Sequence, residues 1–302
     1  MISIIIPTIN RVVELNNTIK EIFLQSFKNY EIIIIDQSIK SSLSDKKIIN
    51  DKRIKFIHKP EIQSASAARN LGIKLATNDI LLFLDDDIEI HSEDFLKTHN
   101  DFYSNPNIPG VFGCTLEKRV NQKVTKKRNK FSYHKSSGWL FFPQNYAYDD
   151  FVSVGRSCNL SVRRSFAIDV GGMDENYQKG AHREEADFCL RISNKYGKFV
   201  FSSKAIITHI GKATGGIRSW TNKTRILKAQ HHYDGAIYFI LKNIKLIDYP
   251  IHFLSLFLFF FTEKKIYMNP IFFLISIQRL IKSFFNAIVL ILITKPKYLK
   301  LK

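Results

Sequence analysis

The sequence predicts an α/β protein with a mostly parallel central sheet flanked by helices. Short apolar runs such as Ile80 to Leu84 are bounded by polar residues, as strands buried on both faces are. These runs alternate with segments of helical spacing, which is the rhythm of right-handed βαβ units. Two of them end on acidic residues, at the place where open α/β sheets bind ligands.

The first hundred residues supply the elements of one half of this sheet. Strands are predicted at Ser3 to Ile6, where Pro7 breaks the run, and at Tyr30 to Ile35, Ile54 to Ile57 and Ile80 to Leu84. Helices are predicted from Glu14 to Gln25, whose apolar side chains share one face, and from Ser64 to Ala76. Strands and helices in this order give parallel neighbours.

Acidic residues follow two of these strands. Asp36 ends the second strand, and Asp85, Asp86 and Asp87 end the fourth. Three adjacent carboxylates repel one another unless a cation lies among them, and a hard divalent cation carrying substrate phosphates is such a partner. The alternative interpretation of the triplet is a plain polar turn.

A basic run follows the next predicted strand, Gly110 to Leu116. Glu117 to Lys130 contains seven Lys or Arg residues and few apolar ones. This composition predicts either a solvated loop or a basic flap that engages phosphates. Val152 to Arg164 is then predicted to be a loop that enters a strand.

Two further stretches carry candidate functional residues. The segment HREEADFCLRI predicts a helix whose first turn holds Glu184, Glu185 and Asp187. Acids at this position suit the positive end of a helix, which explains them without any catalytic role. Val200 to Ile207 predicts a strand, and His209 is expected just beyond it in a Gly-rich loop, either as a structural residue or as a ligand.

The charge balance predicts an anionic partner. Lys+Arg 45 against Asp+Glu 27 gives a net charge of +18, which suits nucleic acid, a phosphorylated substrate or an anionic lipid surface. Nucleic-acid binding is disfavoured because the phenylalanines concentrate in an apolar tail instead of interleaving with basic residues. Cys114, Cys158 and Cys189 show no CxxC spacing, which argues against a zinc site and fits a reducing cytoplasm. The start MISIIIPT lacks the features of a signal peptide, so secretion is not expected.

The C-terminal part is apolar and basic. Ile251 to Phe261 is too short to cross a bilayer, whereas Ile271 to Ile293 is long enough. Arg279, Lys282 and Asn286 share one face of the longer segment, which predicts an amphipathic helix in the membrane interface. The lysines of the tail KPKYLKLK suit anionic headgroups. Helices that pack on the rest of the chain, or a hairpin inserted into one leaflet, are the alternatives.

From Ser3 to about Gly216 the sequence resembles the family 2 glycosyltransferases, enzymes with the GT-A fold that use nucleotide sugars. The resemblance is carried, in order, by SIIIPTINR, YEIIIIDQS, SAARNLGI, FLDDDIEI, CNLSVRR, GGMDENY, REEADFCLR and THIGKATGG. It implies a catalytic domain over residues 1–216, with a nucleotide-binding half over 1–100 and an acceptor-binding half over 101–216. Residues 217–302 would form a C-terminal helical segment with membrane-surface contact.

The resemblance also implies which residues bind the donor. Pro7, Thr8 and Arg11 would line the nucleotide pocket, Asp36 would bind the base, Arg69 would reach the diphosphate or hold the acid cluster, and Asp86 would bind the ribose or sugar. Asp85, Asp87 and His209 would hold a divalent metal ion, either Mn²⁺ or Mg²⁺.

On the acceptor side, Glu184 and Glu185 fall on the family's Glu-Asp pair, whose second acid is the catalytic base. Glu185 would remove the proton from an acceptor hydroxyl, with Glu184 or Asp187 as alternatives, and Asn159 and Ser161 would border the acceptor. The family's processive members carry a Gln-x-x-Arg-Trp signature that this sequence lacks, which favours transfer of one sugar at a time.

The implied function is inverting transfer of one sugar from a UDP- or dTDP-type donor to a glycan or lipid-linked acceptor. Bacterial surface-polysaccharide assembly at the cytoplasmic face of the cell membrane is the expected setting. A sugar nucleotidyltransferase is the alternative among enzymes, but PTINRVVEL lacks the Gly-rich phosphate loop that usually follows the first strand there. A non-catalytic scaffold is the second alternative, and the acids and His209 argue against it.

Overall fold

The structure is a computed structural model that describes residues 1–41, 43, 46–126, 144–212, 214–217, 227–262 and 264–300. Part of the basic run predicted as a loop or flap, residues 127–130, lies outside the described residues. Within that run, Lys118–Val120 forms a single 3₁₀ turn, so both interpretations of the run stay predictions.

The described strands form one sheet in the order β3-β2-β1-β4-β8-β6-β9-β5, with β7 paired to β9. Their bounds are β1 Ile2–Thr8, β2 Tyr30–Asp36, β3 Ile54–His58, β4 Ile80–Leu84, β5 Ile88–Ile90, β6 Gly110–Glu117, β7 Asp150–Val152, β8 Asn159–Arg163 and β9 Phe199–His209. The first four strands in space are parallel, whereas β8 is antiparallel to both β4 and β6. The sheet is therefore parallel in its N-terminal half and mixed beyond it.

Helices cover both faces of this sheet. Their bounds are α1 Val12–Phe23, α2 Lys46–Ile49, α3 Ala65–Leu75, α4 Phe95–Asp101, α5 Arg164–Asp169, α6 Glu184–Tyr196, α7 Gln230–Asn243, α8 Tyr249–Phe261, α9 Lys264–Tyr267 and α10 Pro270–Val289, which continues as a π-turn over Leu290–Thr294. Ser64 caps α3 by accepting a hydrogen bond from the Ala67 backbone. Gly72 lets α3 approach β1, because a Cβ there would lie 2.3 Å from Cγ2 of Ile5.

Two predictions about where strands end are wrong. Pro7 does not break the first strand, since β1 continues to Thr8 and Pro7 pairs with Ile35. The pairing of β1 with β4 has ended by that point, so a proline without an N–H is tolerated there. His209 is the last residue of β9 and does not lie in the loop after it.

The core consists of two apolar layers, one on each face of the sheet. One layer contains Leu15 of α1 and Phe95 of α4. The other contains Phe188 of α6, which meets Phe83 of β4 edge to face, together with Tyr233 of α7 and residues of α8. The helices after residue 216 thus share a core with the sheet, and the domain boundary at 216 stays a prediction.

The polar stripe of α10 faces inward. Ser283 Oγ donates to Asp234 of α7 (2.7 Å), Asn286 Nδ2 donates to the same carboxylate (3.1 Å), and Arg279 donates to a backbone oxygen. Lys282 remains exposed. The amphipathic pattern is confirmed, but Arg279 and Asn286 contact the neighbouring segment of this chain, which leaves the apolar side of α10 outward.

The end of the described chain returns to the main body. The Leu299 backbone donates to the Gly171 carbonyl (2.7 Å), and the Glu175 backbone donates to the Lys297 carbonyl (2.9 Å). Gly172 has a positive φ of 64, and a Cβ there would lie 2.9 Å from Cβ of Leu299. Residues 295–300 therefore pack against the Gly-Gly turn and connect α10 to the loop before α6.

Candidate active site

A cavity of about 370 Å³ opens where the parallel strands end. This volume is in the range of small-molecule sites. Nine of the residues predicted from the sequence line it: Pro7, Thr8, Arg11, Arg69, Asp85, Asp86, Glu184, Glu185 and His209. The sheet edge thus gathers most of the predicted site from elements far apart in the chain.

The predicted metal ligands lie together beside this cavity, which Asp85 and His209 line, whereas Asp87 is fully buried. Asp85 and Asp87 follow β4, and His209 ends β9, which β5 brings alongside by pairing Ile88 with His209. His209 Nε2 lies 3.4 Å from Asp87 Oδ1 and 3.8 Å from Asp85 Oδ2. The three potential ligand atoms all lie within 4.8 Å of one another, close enough for one ion to contact each.

The residues of this group fit a divalent cation. Asp87 Oδ1 is buried and accepts no hydrogen bond from the described residues, although Arg11 Nη1 lies 3.0 Å away. Burial alone would favour a neutral His209, but Asp87 and Glu117 raise the pKa of its ring to about 10. The site therefore favours positive charge, and two carboxylates with one imidazole suit Mn²⁺ or Mg²⁺.

Asp86, between the two predicted ligands in the sequence, shares Arg11 with Asp87. It accepts hydrogen bonds from Thr8 Oγ1 (2.6 Å) and from Arg11 Nη1 (2.7 Å). Burial raises the pKa of Asp86 to about 7, although Arg11 opposes this shift. Asp86 and Arg11 thereby join the turn after β1 to the turn after β4 and shape the wall of the cavity.

The acids of α6 form the second charged group. Arg69 of α3 links the two groups, because its Nη1 lies 2.9 Å from Glu184 Oε1 and its Nη2 lies 3.3 Å from Asp85 Oδ1. Glu185 lines the same cavity, is partly exposed and forms no ion pair among the described residues. Burial raises the pKa of the Glu185 carboxyl, against the effect of Arg69. A carboxylate in this setting is suited to accept a proton.

Asp187 does not reach the cavity, which corrects its prediction as a possible base. It is fully buried, and its carboxylate pairs with Arg191 (3.0 Å) and with Lys242 of α7 (2.8 Å). Asp187 lies two positions after Glu185, and successive residues of a helix are rotated by about 100°, so its side chain points about 200° away from that of Glu185. Asp187 therefore joins α6 to α7.

Asn159 and Ser161 are also placed away from the cavity, which corrects their prediction as acceptor residues. Both are buried in β8, on the face covered by α4. His99 of α4 hydrogen-bonds Asn159 Oδ1 through Nε2 and Ser161 Oγ through Nδ1, both at 2.9 Å. Residues two apart on a strand lie on the same face of the sheet, so Asn159 and Ser161 both point into the interior.

Asp36 lies beside the cavity without lining it. It is fully buried at the end of β2, and its Oδ1 accepts a hydrogen bond from the Ser38 backbone (3.0 Å). The neighbouring Gln37 lines the cavity instead. A contact between Asp36 and a base stays a prediction.

Sequence reasoning missed two charged residues of the site. Arg156 lines the cavity and contacts the carboxylate of Glu117, which also accepts from His209 Nδ1 (3.1 Å). Burial would raise the pKa of Glu117, but His209 and Arg156 lower it to about 2. In the sequence, Glu117 is the first residue of the basic run. The one signal that marks it is that it directly follows a predicted strand, as Asp36 and Asp85 do.

The mixed α/β sheet with its flanking helices is of the GT-A type. A family model described as "Glycosyl transferase family 2" matches residues 3–170, more than half of the chain. The chain belongs to this family, which confirms the resemblance found in the sequence.

Curated relatives agree with this membership. An uncharacterised glycosyltransferase of Rickettsia conorii is 37% identical over 198 residues, covering 59% of this chain and 32% of the relative. A Campylobacter jejuni protein named GalNAc(5)-diNAcBac-PP-undecaprenol beta-1,3-glucosyltransferase is 35% identical over 130 residues, covering 40% of each chain. The chain spans about a third of the length of the first curated relatives it matches.

Solved structures confirm the fold. GalNAc-T7 with UDP, GalNAc and Mn²⁺ aligns with a TM-score of 0.59 at 15% identity, covering 80% of this chain and 48% of that one. A mannosyltransferase of Pyrobaculum calidifontis, in complex with GDP-Man and Mn²⁺, aligns with a TM-score of 0.54 at 12% identity, covering 95% and 74%. At these identities the similarity shows that the folds are alike.

Proposed function

We propose that this chain is an inverting, metal-dependent glycosyltransferase that moves one sugar from a nucleoside diphosphate sugar to an acceptor hydroxyl. One observation carries the proposal. One cavity is lined by Asp85 and His209, which form a potential cation-binding group with the adjacent buried Asp87, and by a separate carboxylate, Glu185, that forms no ion pair among the described residues. Displacement at an anomeric carbon needs these two functions at one site.

On the donor side, Asp85, Asp87 and His209 would hold Mn²⁺ or Mg²⁺. When bound, such a cation neutralises the charge that develops on the leaving nucleoside diphosphate. Arg11 and Arg156 also reach this part of the molecule with guanidinium groups suited to oxyanions. The structural neighbours solved with Mn²⁺ and with UDP or GDP-Man support this assignment.

The remaining proposed donor contacts come from residues at or just after the ends of strands. Pro7 and Thr8 would border the nucleotide, Asp36 the base, and Asp86 the ribose or sugar. We favour a UDP- or dTDP-type donor, as the family resemblance implies.

On the acceptor side, Glu185 would act as the base. The acceptor oxygen forms a bond to the anomeric carbon while the bond from that carbon to the diphosphate breaks, and Glu185 takes the hydroxyl proton. Attack opposite the leaving group inverts the anomeric configuration. Glu184 would orient Arg69, which contacts it at 2.9 Å, and so would connect the base to the cation side.

We favour a lipid-linked or glycan acceptor at the cytoplasmic face of a bacterial membrane, in surface-polysaccharide biosynthesis. The Campylobacter jejuni relative supports this, since its name gives a PP-undecaprenol acceptor. Contact with an anionic membrane surface is part of the proposal, and nucleic acid is not a proposed partner.

The C-terminal helices present a surface that fits such a membrane. Most of the large apolar side chains exposed among the described residues lie between 246 and 293. Residues 245–302 contain nine Lys or Arg against two acids, a balance that suits anionic headgroups. Pro270–Thr294 is long and apolar enough to cross a membrane by length and composition. Its polar stripe packs on α7, however, so we infer that it lies along the surface.

A mutation of this apolar surface should weaken vesicle binding. Phe285 and Leu292 are 64% and 71% exposed. Replacing both with Ser is expected to reduce binding about tenfold or more, because burying each such side chain contributes about 1.5–3 kcal/mol. Cosedimentation of the full chain with phosphatidylcholine vesicles, with and without phosphatidylglycerol, measures this effect.

The matched control is the double variant Val13→Ser and Leu24→Ser, whose side chains are 64% and 68% exposed, on α1 and directly after it. It should bind vesicles as the unmodified chain does, and binding should need phosphatidylglycerol and weaken with salt. Equal losses in both double variants, or no binding to either vesicle, would count against the membrane surface.

Loss of one metal ligand should strongly weaken donor binding. Asp87→Asn is expected to weaken Mn²⁺-dependent donor affinity by about 100-fold or more, since even outer partners of metal ligands contribute about 10- to 100-fold. Calorimetric titration with UDP-, dTDP-, GDP- and CMP-sugars, in Mn²⁺ or EDTA, measures this. Asp101→Asn, at an exposed carboxylate of α4, is the control. If no donor binds with or without metal, the enzymatic proposal fails and a scaffold role gains support.

A further inference from the structure

We propose that Glu117 is a positioning residue for the cation site: it orients the imidazole of His209 toward Asp85 and Asp87 and aligns Arg156 with the same cavity. The inference rests on the proposed cation site and deepens it.

Strand pairing places Glu117 beside His209. Strands β6 and β9 are parallel, and their register pairs Glu117 with His209 as the last residues of both strands. On its other side, β9 pairs His209 with Ile88 of β5, directly after Asp87. The imidazole therefore lies between two acidic sites, supplied by neighbouring strands on its two sides.

The two ring nitrogens of His209 have separate partners. Nδ1 lies 3.1 and 3.2 Å from the two carboxylate oxygens of Glu117. Nε2 lies 3.4 Å from Asp87 Oδ1 and 3.8 Å from Asp85 Oδ2. A ring held in this way donates its Nδ1 proton to Glu117 and keeps Nε2 directed at the two aspartates.

This arrangement suits a metal ligand. A histidine that binds a cation through one nitrogen usually donates its other N–H to a carboxylate, which fixes the tautomer and makes the ligand nitrogen more basic. Without Glu117, the ring of His209 would lose the partner that sets its rotation. The aspartates would then have to bind the cation with a less well-oriented third ligand.

Glu117 has a second partner on the cavity wall. Its Oε1 contacts Arg156 Nη1, and the Arg156 side chain lines the cavity. The one carboxylate thus holds a metal ligand and a guanidinium suited to a diphosphate. If Glu117 served only to neutralise Arg156, its removal would change stability and leave cation affinity alone. The two roles therefore predict different measurements.

The test is Mn²⁺ affinity of the full chain without donor, measured by electron paramagnetic resonance of the free ion. Glu117→Gln is expected to weaken Mn²⁺ affinity about 10- to 100-fold, the usual effect of losing a partner of a metal ligand. Glu89→Gln is the control, because Glu89 lies on the adjacent β5 and pairs only with the exposed Lys118 among the described residues. It should leave the affinity unchanged.

A double-mutant cycle shows whether the effect passes through His209. In the His209→Ala background, Glu117→Gln should cause no further loss of Mn²⁺ affinity. An equal loss in both backgrounds, or unchanged affinity in folded Glu117→Gln, would overturn the proposal. Thermal unfolding in EDTA checks that each variant is folded.

Should Glu117→Gln fail to fold, Glu117→Asp replaces it. This variant keeps the charge for Arg156 but withdraws the carboxylate by one methylene, so weaker Mn²⁺ binding is again expected and unchanged affinity would refute the role. If the unmodified chain binds no Mn²⁺, the cation site itself is refuted. If the unmodified chain and the folded Glu117 variants all bind Mn²⁺ with the same affinity, only the positioning role of Glu117 is refuted.

Discussion

Replacing Glu185 by Gln is expected to slow sugar transfer by about 10²- to 10⁴-fold, the usual contribution of a general base. Gln fills the same space, but its amide does not take up the proton of the acceptor hydroxyl. Glu185 is not one of the potential metal ligands and forms no ion pair among the described residues. Donor binding and Mn²⁺ binding should therefore be unchanged. Nucleoside diphosphate release, measured with and without acceptor, separates these quantities.

The pH profile gives a second readout of the same role. Burial raises the pKa of the Glu185 carboxyl above its ordinary value, against the effect of Arg69. A base acts only in its deprotonated form, so transfer should fall as the pH drops through this raised pKa. The residual activity of Glu185→Gln should lack that acid limb.

Asp187, another acid of α6, provides the comparison. Asp187 pairs with Arg191 and Lys242 in the interior, so Asp187→Asn should lower stability while each folded molecule keeps its transfer rate. Near-normal transfer by Glu185→Gln would reject Glu185 as the base. A folded Asp187→Asn protein that has lost transfer would show that α6 influences the reaction through the buried acid.

The N-terminal half of the sheet was predictable because its signals are local. The strand Ile80–Leu84 is confirmed with the predicted bounds, since a fully buried parallel strand is a continuous apolar run. β5 and β7 were not predicted. Each has three residues, too few for a pattern, and each is defined by pairing with β9 far along the chain.

The prediction of the site was limited in the same way, by contacts between residues that are far apart in the sequence. Asp85, Asp87 and His209 were found because the family resemblance marks them, and the structure brings them together. The orientation of a side chain depends on partners that are distant in sequence, and no local pattern contains them. Ser161 hydrogen-bonds His99, and Glu117 hydrogen-bonds His209, and in both pairs the partner is far away in the sequence.

Lys242→Met is expected to lower the free energy of unfolding by about 3–5 kcal/mol, the usual cost of removing one partner from a buried ion pair. The Lys242 ammonium lies 2.7 Å from Asp174 Oδ2 and 2.8 Å from Asp187 Oδ1, and both carboxylates are fully buried. Met retains the length and most of the volume of Lys, so the loss reports on the charge. Urea denaturation at pH 7 measures it.

The control is Lys97→Met, which removes an exposed pair with Asp101 on α4. Such surface pairs contribute about 0–1 kcal/mol, so this variant should unfold almost as the unmodified chain does. A loss in Lys242→Met no larger than in Lys97→Met would show that the buried carboxylates do not depend on this lysine.

The pH dependence of this loss has a definite sign. Burial alone would raise the pKa of Asp174, but Lys242 and nearby hydrogen bonds hold it below its ordinary value. The stability this provides is complete above the ordinary carboxyl pKa and is lost as the pH falls through the lower folded value. In Lys242→Met, burial without the ammonium favours a protonated Asp174. The difference between the two proteins should therefore be largest near neutral pH and narrow toward acid pH.

This ion network also explains why the helices after residue 216 matter to the site. Asp187 lies on the helix that begins with Glu184 and Glu185, and Lys242 lies on α7, which in turn packs against α10 through Asp234 and Ser283. A weakened network would loosen the helix that positions the base. Lys242→Met should therefore lose transfer activity at a lower urea concentration than the unmodified chain, and loss of activity at the same urea concentration would show that α6 holds the base without α7.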